Sequence, residues 1–384
     1  MKLIPEWEAH DKCLMAWPCN KNLYNEIIKD ARLEMAHLAN CISDEETVYM
    51  YCNKEDYNEC KNYINNQKIN IIQLELDDSW MRDIAPIFIK EDNELKCINF
   101  NFNGYGKYPN YFNDNKVGEY ISNQFFITSY LNDLTLEGGA ITYDEYGNLF
   151  TTESVLLNPN RNNPEKAKIE QTLTSLFDLN SIIWIPEGLK DDDTDGHIDN
   201  ILCPIGNRKY LIAKSYDLDD LNSNNLNKIK SIILSNLSSI ESNIELIDIP
   251  LPSKIVVNDK KLIASYINFY FSKRKIFVPK FNVKEDEMVY DIFKDIFKDK
   301  KIEMIETSHI KHSKMHYFQS KTFENEIDTC PNSLASCGTN NHSQIKIHFF
   351  VLHTHTDFSR TLFWIILVLD FIMKSRTMIM IFCN

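Results

Sequence analysis

Leu173-Thr174-Ser175-Leu176-Phe177-Asp178-Leu179-Asn180-Ser181-Ile182-Ile183-Trp184-Ile185 ends one helical pattern, over 164–177, and passes almost at once into a strand-like run, Ile182–Ile185. A change of apolar spacing from the helical period to a short β-branched and aromatic run is the local signature of a helix feeding a strand. The same alternation continues outward in both directions. Strand-like runs stand at Thr47–Tyr51, Ile71–Leu76, Ile84–Ile89, Leu95–Phe102, Ala140–Tyr143, Tyr210–Ala213, Ile244–Ile249, Ile263–Tyr270 and Lys275–Val278. Helical patterns interleave them at 23–40, where Leu33 lies off the apolar face, and near 56–66, 115–130, 225–242 and 285–299. Strands and helices alternating from end to end predict an α/β fold.

A chain of 384 residues that is 43% hydrophobic can bury a large core, as one large domain or two ordinary ones. The formal charge of −14 argues against a nucleic-acid partner, which needs a basic face, and suits a small cationic ligand. The ten cysteines include no CxxC pair and no leader pattern opens the chain, which predicts a reduced, cytoplasmic protein without structural zinc. No glycine-rich phosphate loop follows a strand, so nucleotide binding is disfavoured. The apolar run from Thr361 to Met373 contains Asp370 and falls short of the roughly 20 residues that span a bilayer, so it is not read as a membrane span.

Three polar stretches carry the chemistry. Asp192-Asp193-Thr194-Asp195-Gly196-His197-Ile198-Asp199 sets a histidine and a carboxylate two residues apart, which in a strand would face one pocket. Asp77-Asp78-Ser79-Trp80-Met81-Arg82-Asp83-Ile84-Ala85-Pro86 and Leu136-Glu137-Gly138-Gly139 add further carboxylates. Several carboxylates with one histidine suit a guanidinium, whose charge cannot be titrated away and which therefore needs paired anions when buried. Each stretch alone also has a structural reading: Arg82-Asp83 as an ion pair, Glu137-Gly138-Gly139 as a turn, Trp80 as core. His10 is read as structural, and His353, His355 and Asp357 do not make a metal site.

With these stretches in hand, the chain resembles the agmatine deiminase family, related to the bacterial-type peptidylarginine deiminases of the guanidine-modifying superfamily. The resemblance spans about residues 4 to 318. It adds to the stretches above Pro5-Glu6-Trp7-Glu8-Ala9-His10, Met15-Ala16-Trp17-Pro18, Phe102-Asn103-Gly104-Tyr105-Gly106, Leu156-Leu157-Asn158-Pro159-Asn160-Arg161-Asn162 and Ser265-Tyr266-Ile267-Asn268-Phe269. It implies a five-bladed α/β propeller, the pentein fold, with the active site in its central channel. The implied reaction needs no cofactor or metal: agmatine plus water gives N-carbamoylputrescine plus ammonia, within putrescine and polyamine synthesis, through a covalent cysteine intermediate. By the same resemblance Asp83 and Asp199 hold the guanidinium, His197 is the general acid and base, Glu137 orients its neighbours and Asn268 positions the substrate, while Trp80, close in sequence to Asp83, is placed to line the substrate slot and stack on the guanidinium. Free or peptidyl arginine is the alternative substrate, and a homodimer is the default assembly.

The pattern breaks at the nucleophile. His316 aligns with the family histidine, and Tyr317 stands where the cysteine belongs. A phenol, with a pKa near 10 against about 8.5 for a thiol, is a poor substitute. Two accounts fit: a reading-frame or exon error that also produced the unlike stretch from Ser320 to Asn384, or a catalytically dead binder of guanidines. The expected division is therefore a family domain over 1–319 and an atypical tail over 320–384, with rescue by Cys330 or Cys337 disfavoured.

Overall fold

The computed structural model describes residues 1–217, 219–240, 243–253, 255 and 264–307, and the backbone of 256–257, 260–261, 321–323, 346–351, 364–370 and 377–382. Tyr317, His316, Cys330, Cys337, His353, His355 and Asp357 lie outside the described residues. Met1–Glu326 and Ile327–Asn384 are two compact units. In the second, Lys346–Val351, Trp364–Asp370 and Thr377–Phe382 pair as an antiparallel sheet, so part of the apolar run after Thr361 is a strand. Among the described residues no helix is long and apolar enough to cross a membrane.

The first unit is a five-bladed α/β propeller. Four blades repeat one order: strand, hairpin, strand, helix, strand. They are Ile87–Glu91, Glu94–Asn101, helix Val117–Gln124 and Thr128–Thr135; Ile141–Tyr143, Asn148–Thr152, helix Lys166–Phe177 and Ser181–Ile185; Leu202–Pro204, Lys209–Lys214, helix Leu221–Ile240 and Glu245–Pro250; and Tyr270–Phe271, Lys275–Lys280, helix Glu285–Ile296 and Lys301–Glu306. In each, the first two strands pair antiparallel and the last two parallel. The reason is connection length: a two-residue turn can only reverse the chain, whereas a parallel return needs a crossover helix. Asp92 and Asn93, both at positive φ (54° and 64°), form such a turn, with residues that tolerate the left-handed region.

The fifth blade is built from Lys12–Ala16, Thr47–Cys52 and Ile69–Gln73 in parallel, joined by helices Ile28–Ser43 and Tyr57–Tyr63. Lys321–Phe323 lies antiparallel on Lys12–Leu14, so a late strand completes a sheet begun near the N-terminus. Middle strands are covered on both faces: Asn148–Thr152 is buried along its length, as are Leu211, Ile212 and Phe277. That is why they read as short apolar runs rather than alternating ones.

Three expectations need correction. The helical pattern over 23–40 is broken at Asn25 (φ 45°, ψ −126°); Lys21–Tyr24 is a separate turn capped by the Asn20 side chain, and the long helix starts at Ile28. Leu33 is nonetheless exposed and Ala31, Met35 and Leu38 are buried, as the spacing required. The run Ile84–Ile89 is not all strand, because Met81–Ile84 makes one helical turn before Pro86. In Ile263–Tyr270 the strand begins at Tyr270, and Ser265–Phe269 is a connection that reaches the site.

Candidate active site

The chemistry-bearing residues share one topological position. Asp83 lies four residues before the blade strand that starts at Ile87, Glu137 four before Ile141, Asp199 three before Leu202 and Asn268 two before Tyr270. Each sits on the connection leading into the first strand of its blade. Blade repetition therefore gathers residues far apart in sequence, without any repeat in the sequence itself.

His197 and Asp199 do not occupy a strand. Ile198–Asn200 is a single 3₁₀ turn that follows His197 (φ −55°, ψ 139°), so the period-two argument does not apply. The loop is fixed by its own acidic run. Asp192 Oδ1 accepts from the Thr194 amide and hydroxyl at 2.9 and 2.7 Å, and its Oδ2 accepts from the Asn200 amide at 3.0 Å. Gly196, at φ 102°, packs against Gly188, where a Cβ would meet backbone at 2.7 Å. Asn200 Oδ1 accepts from the Asn268 side chain at 2.6 Å, which ties Asn268 to the histidine loop.

The groups converge on Gly139. A Cβ there would lie 2.5 Å from His197 Nδ1, 2.7 Å from Asp199 Oδ2 and 2.9 Å from Asp83 Oδ1. Only hydrogen at this position leaves the three polar atoms around common space. The Gly139 N–H donates to Asp83 Oδ1 at 2.8 Å, and the Tyr105 hydroxyl donates to Asp83 Oδ2 at 2.8 Å. Tyr105 itself is held at φ 58°, an uncommon conformation for an aromatic residue, inside Gly104-Tyr105-Gly106. Burial, then the Asp83 carboxylate, push its phenol well up, so it stays a hydrogen-bond donor.

His197 is fully buried, with Nδ1 4.0 Å from Asp83 Oδ1 and Nε2 3.9 Å from Glu137 Oε2. Burial opposes a charged imidazole, but Asp83, Glu137 and Asp199 outweigh it and push its pKa up to about 9. At neutral pH it is an imidazolium. Glu137 stays anionic: burial raises its pKa, and Arg161 and His197 together more than reverse that. Arg161, wholly buried, donates from Nε to Glu137 Oε1 at 2.6 Å and from Nη1 to Asp195 Oδ2 at 2.8 Å.

Outside this centre a small cleft is lined by Leu23, Asp78, Trp80, Tyr105, Tyr108, Asp193 and Thr194. Trp80 thus adjoins the slot while remaining largely core. Arg82 is buried in an ion pair with Glu6 rather than with its neighbour Asp83. His10 lies elsewhere, bonded to Glu46 at 2.8 Å in a staple that also takes the Tyr270 hydroxyl at 2.9 Å. Among the described residues no group of three or more His, Cys, Asp or Glu could hold a metal ion. Tyr105, Gly139 and Arg161 belong to this centre without having been assigned roles from the sequence, although all three fall in stretches singled out above.

Fold and site together define a pentein-type α/β propeller with a buried histidine among three carboxylates. The chain belongs to the Porphyromonas-type peptidyl-arginine deiminase family, whose model matches residues 2–315, in the branch of the agmatine deiminases. It is 28% identical over 330 residues to the agmatine deiminase of Pseudomonas aeruginosa, covering 79% of this chain and 90% of that one. A solved C. jejuni agmatine deiminase with substrate bound, carrying a cysteine-to-serine substitution, is 25% identical with a TM-score of 0.77, covering 84% of this chain and 96% of that chain. An Enterococcus faecalis agmatine deiminase, 22% identical with a TM-score of 0.80, shares the fold over 85% of this chain and 96% of its own.

Proposed function

We propose that the site takes agmatine, a flat guanidinium on an alkyl chain ending in an amine, and that its chemistry is hydrolytic deimination. The observation that carries this reading is the convergence of Asp83 Oδ1, Asp199 Oδ2 and His197 Nδ1 around the missing side chain of Gly139. Two carboxylates on one planar cation supply the pairing that a permanently charged, buried group requires. The outer cleft supports agmatine over arginine: its charged lining residues are Asp78 and Asp193, and Lys107 beside it is already paired with Asp195, so it suits an amine better than a carboxylate.

In the reaction the thiolate of a cysteine attacks the guanidinium carbon while Asp83 and Asp199 hold the nitrogens. Imidazolium His197 protonates the departing nitrogen as the C–N bond breaks and ammonia leaves. The neutral imidazole then takes a proton from water, which attacks the thiouronium carbon and expels the thiolate, and the protonated urea so formed gives its remaining proton to solvent to leave as N-carbamoylputrescine. A pKa near 9 keeps His197 in the acid form that the first step needs.

Position 317 is the nucleophile position. It lies four residues before the strand Lys321–Phe323, the offset that Asp83 and Glu137 hold before theirs. The cysteine-to-serine substitution in the substrate-bound C. jejuni relative supports a cysteine as the catalytic group in the family. With Tyr317 the chain binds agmatine and does not turn it over. Ammonia release from agmatine tests this: none from the Tyr317 chain, and measurable release from Tyr317→Cys. Sustained turnover with Tyr317 in place, or no release from a folded Tyr317→Cys chain, would overturn the proposal.

A further inference from the structure

The buried imidazole is not isolated from the surface. Lys107, about one-third exposed, contacts Asp195 Oδ1 at 2.6 Å. Asp195 Oδ2 accepts from Arg161 Nη1 at 2.8 Å, Arg161 Nε donates to Glu137 Oε1 at 2.6 Å, and Glu137 Oε2 faces His197 Nε2 at 3.9 Å. Charges alternate along the whole line: plus, minus, plus, minus, plus. Its middle is rigid. Arg161 also donates to the carbonyl oxygens of Tyr105 at 2.7 Å and Thr194 at 3.0 Å, so it fastens both loops that flank the site.

Burying a guanidinium among so many partners is costly unless each donor is matched, and a packing role alone would be met by an apolar side chain. The arrangement instead leaves one oxygen of Glu137 committed to Arg161 and the other turned towards His197. At the outer end, Lys107 Nζ also donates to the Asp193 carbonyl at 2.6 Å, and Asp193 lines the cleft that a cationic ligand would enter.

We propose that Arg161 is a positioning residue that holds Glu137 against His197, and that Asp195 and Lys107 extend this line to the rim of the cleft, so that charge at the rim sets the proton affinity of the buried imidazole. The proposal rests on the reading of His197 as the general acid. Among the described residues the groups facing His197 are Asp83 from the turn Met81–Ile84, Glu137 from the segment before Gly138, Asp199 on its own turn, and the Tyr105 ring, 5.9 Å from the imidazole between centroids. Arg82 is the further cation nearby, acting on Asp199.

The test is an NMR titration of the His197 imidazole in isotope-labelled full-length protein, with its signals assigned by their loss in His197→Asn. Asp195→Asn removes a negative charge beside Arg161 and should lower the His197 midpoint. Lys107→Met removes a positive charge and should raise it. Each shift should be about half a pH unit, the size expected of one charge on the order of 10 Å away in a mixed dielectric. Lys107→Met alters one rim side chain, so loss of the fold does not obscure its result. Shifts of opposite sign support the line; no shift, or shifts of the same sign, would overturn it. No turnover is measured, so failure of the deiminase reading and failure of this one are told apart.

Discussion

Raising the pH from 6 to 10 should destabilise this protein through His197 in a way that a variant without the imidazole does not share. The folded-state pKa lies near 9 because Asp83, Glu137 and Asp199 override the burial of the ring, whereas an unfolded histidine titrates near 6.5. Folded His197 therefore holds a proton that unfolded His197 releases between those values. The stability it contributes is fully present below about 6.5 and is lost as pH rises through 9. A difference of about 2.5 units at 1.36 kcal/mol each gives roughly 3 kcal/mol. Urea unfolding of the natural chain and of His197→Gln, at one-unit steps across pH 6–10, reads it out. The stability difference between the two should shrink by about 3 kcal/mol across the window, at a slope near 1.4 kcal/mol per pH unit in its middle. Parallel profiles would mean that the ring is neutral when folded, and the assignment of His197 as the acid would fall.

Gly139→Ala should keep its circular dichroism and lose agmatine affinity by about 100-fold or more, because its Cβ would displace His197, Asp199 and Asp83 from their common space; unchanged binding by calorimetry would refute the cradle. Arg161→Met should lower stability in urea by about 3–5 kcal/mol, since Glu137 and Asp195 would lose their buried partner. Tyr105→Phe should cost about 1.5–3 kcal/mol of stability through the lost hydrogen bond to a charged carboxylate, and weaken agmatine binding as Asp83 loosens; a neutral effect on both would show that the phenol does not hold Asp83. Sequencing the mature transcript across codons 300–384 should show a glycine-rich run ending in His-Cys; a confirmed Tyr317 would leave the chain a guanidine binder.

The sequence disclosed the α/β class because short apolar runs alternate with helical patterns from end to end, Ser181–Ile185 after Lys166–Phe177 being the clearest case. His197 and Asp199 stood out by residue type beside Gly196, whereas Asp83 and Glu137 were singled out through the family resemblance of their stretches. The physical route was partly different, since His197 and Asp199 meet the site from a 3₁₀ turn and not from a strand. Arg161 was opaque because its partners, Glu137 and Asp195, stand 24 and 34 residues away, and only the fold joins them. Tyr105 depends on a left-handed backbone that Gly104 and Gly106 hint at but do not require. The break at Asn25 was hidden because apolar spacing persists across it.

The most direct test of the account is calorimetric titration of agmatine, and separately of arginine, into the natural chain and into Asp83→Asn. Agmatine should bind one to one and more tightly than arginine, and Asp83→Asn should weaken it by about 30-fold or more, the cost of removing one member of a buried charge pair. Absence of agmatine binding to the folded natural chain, or binding indifferent to Asp83, would contradict a site built for a guanidinium.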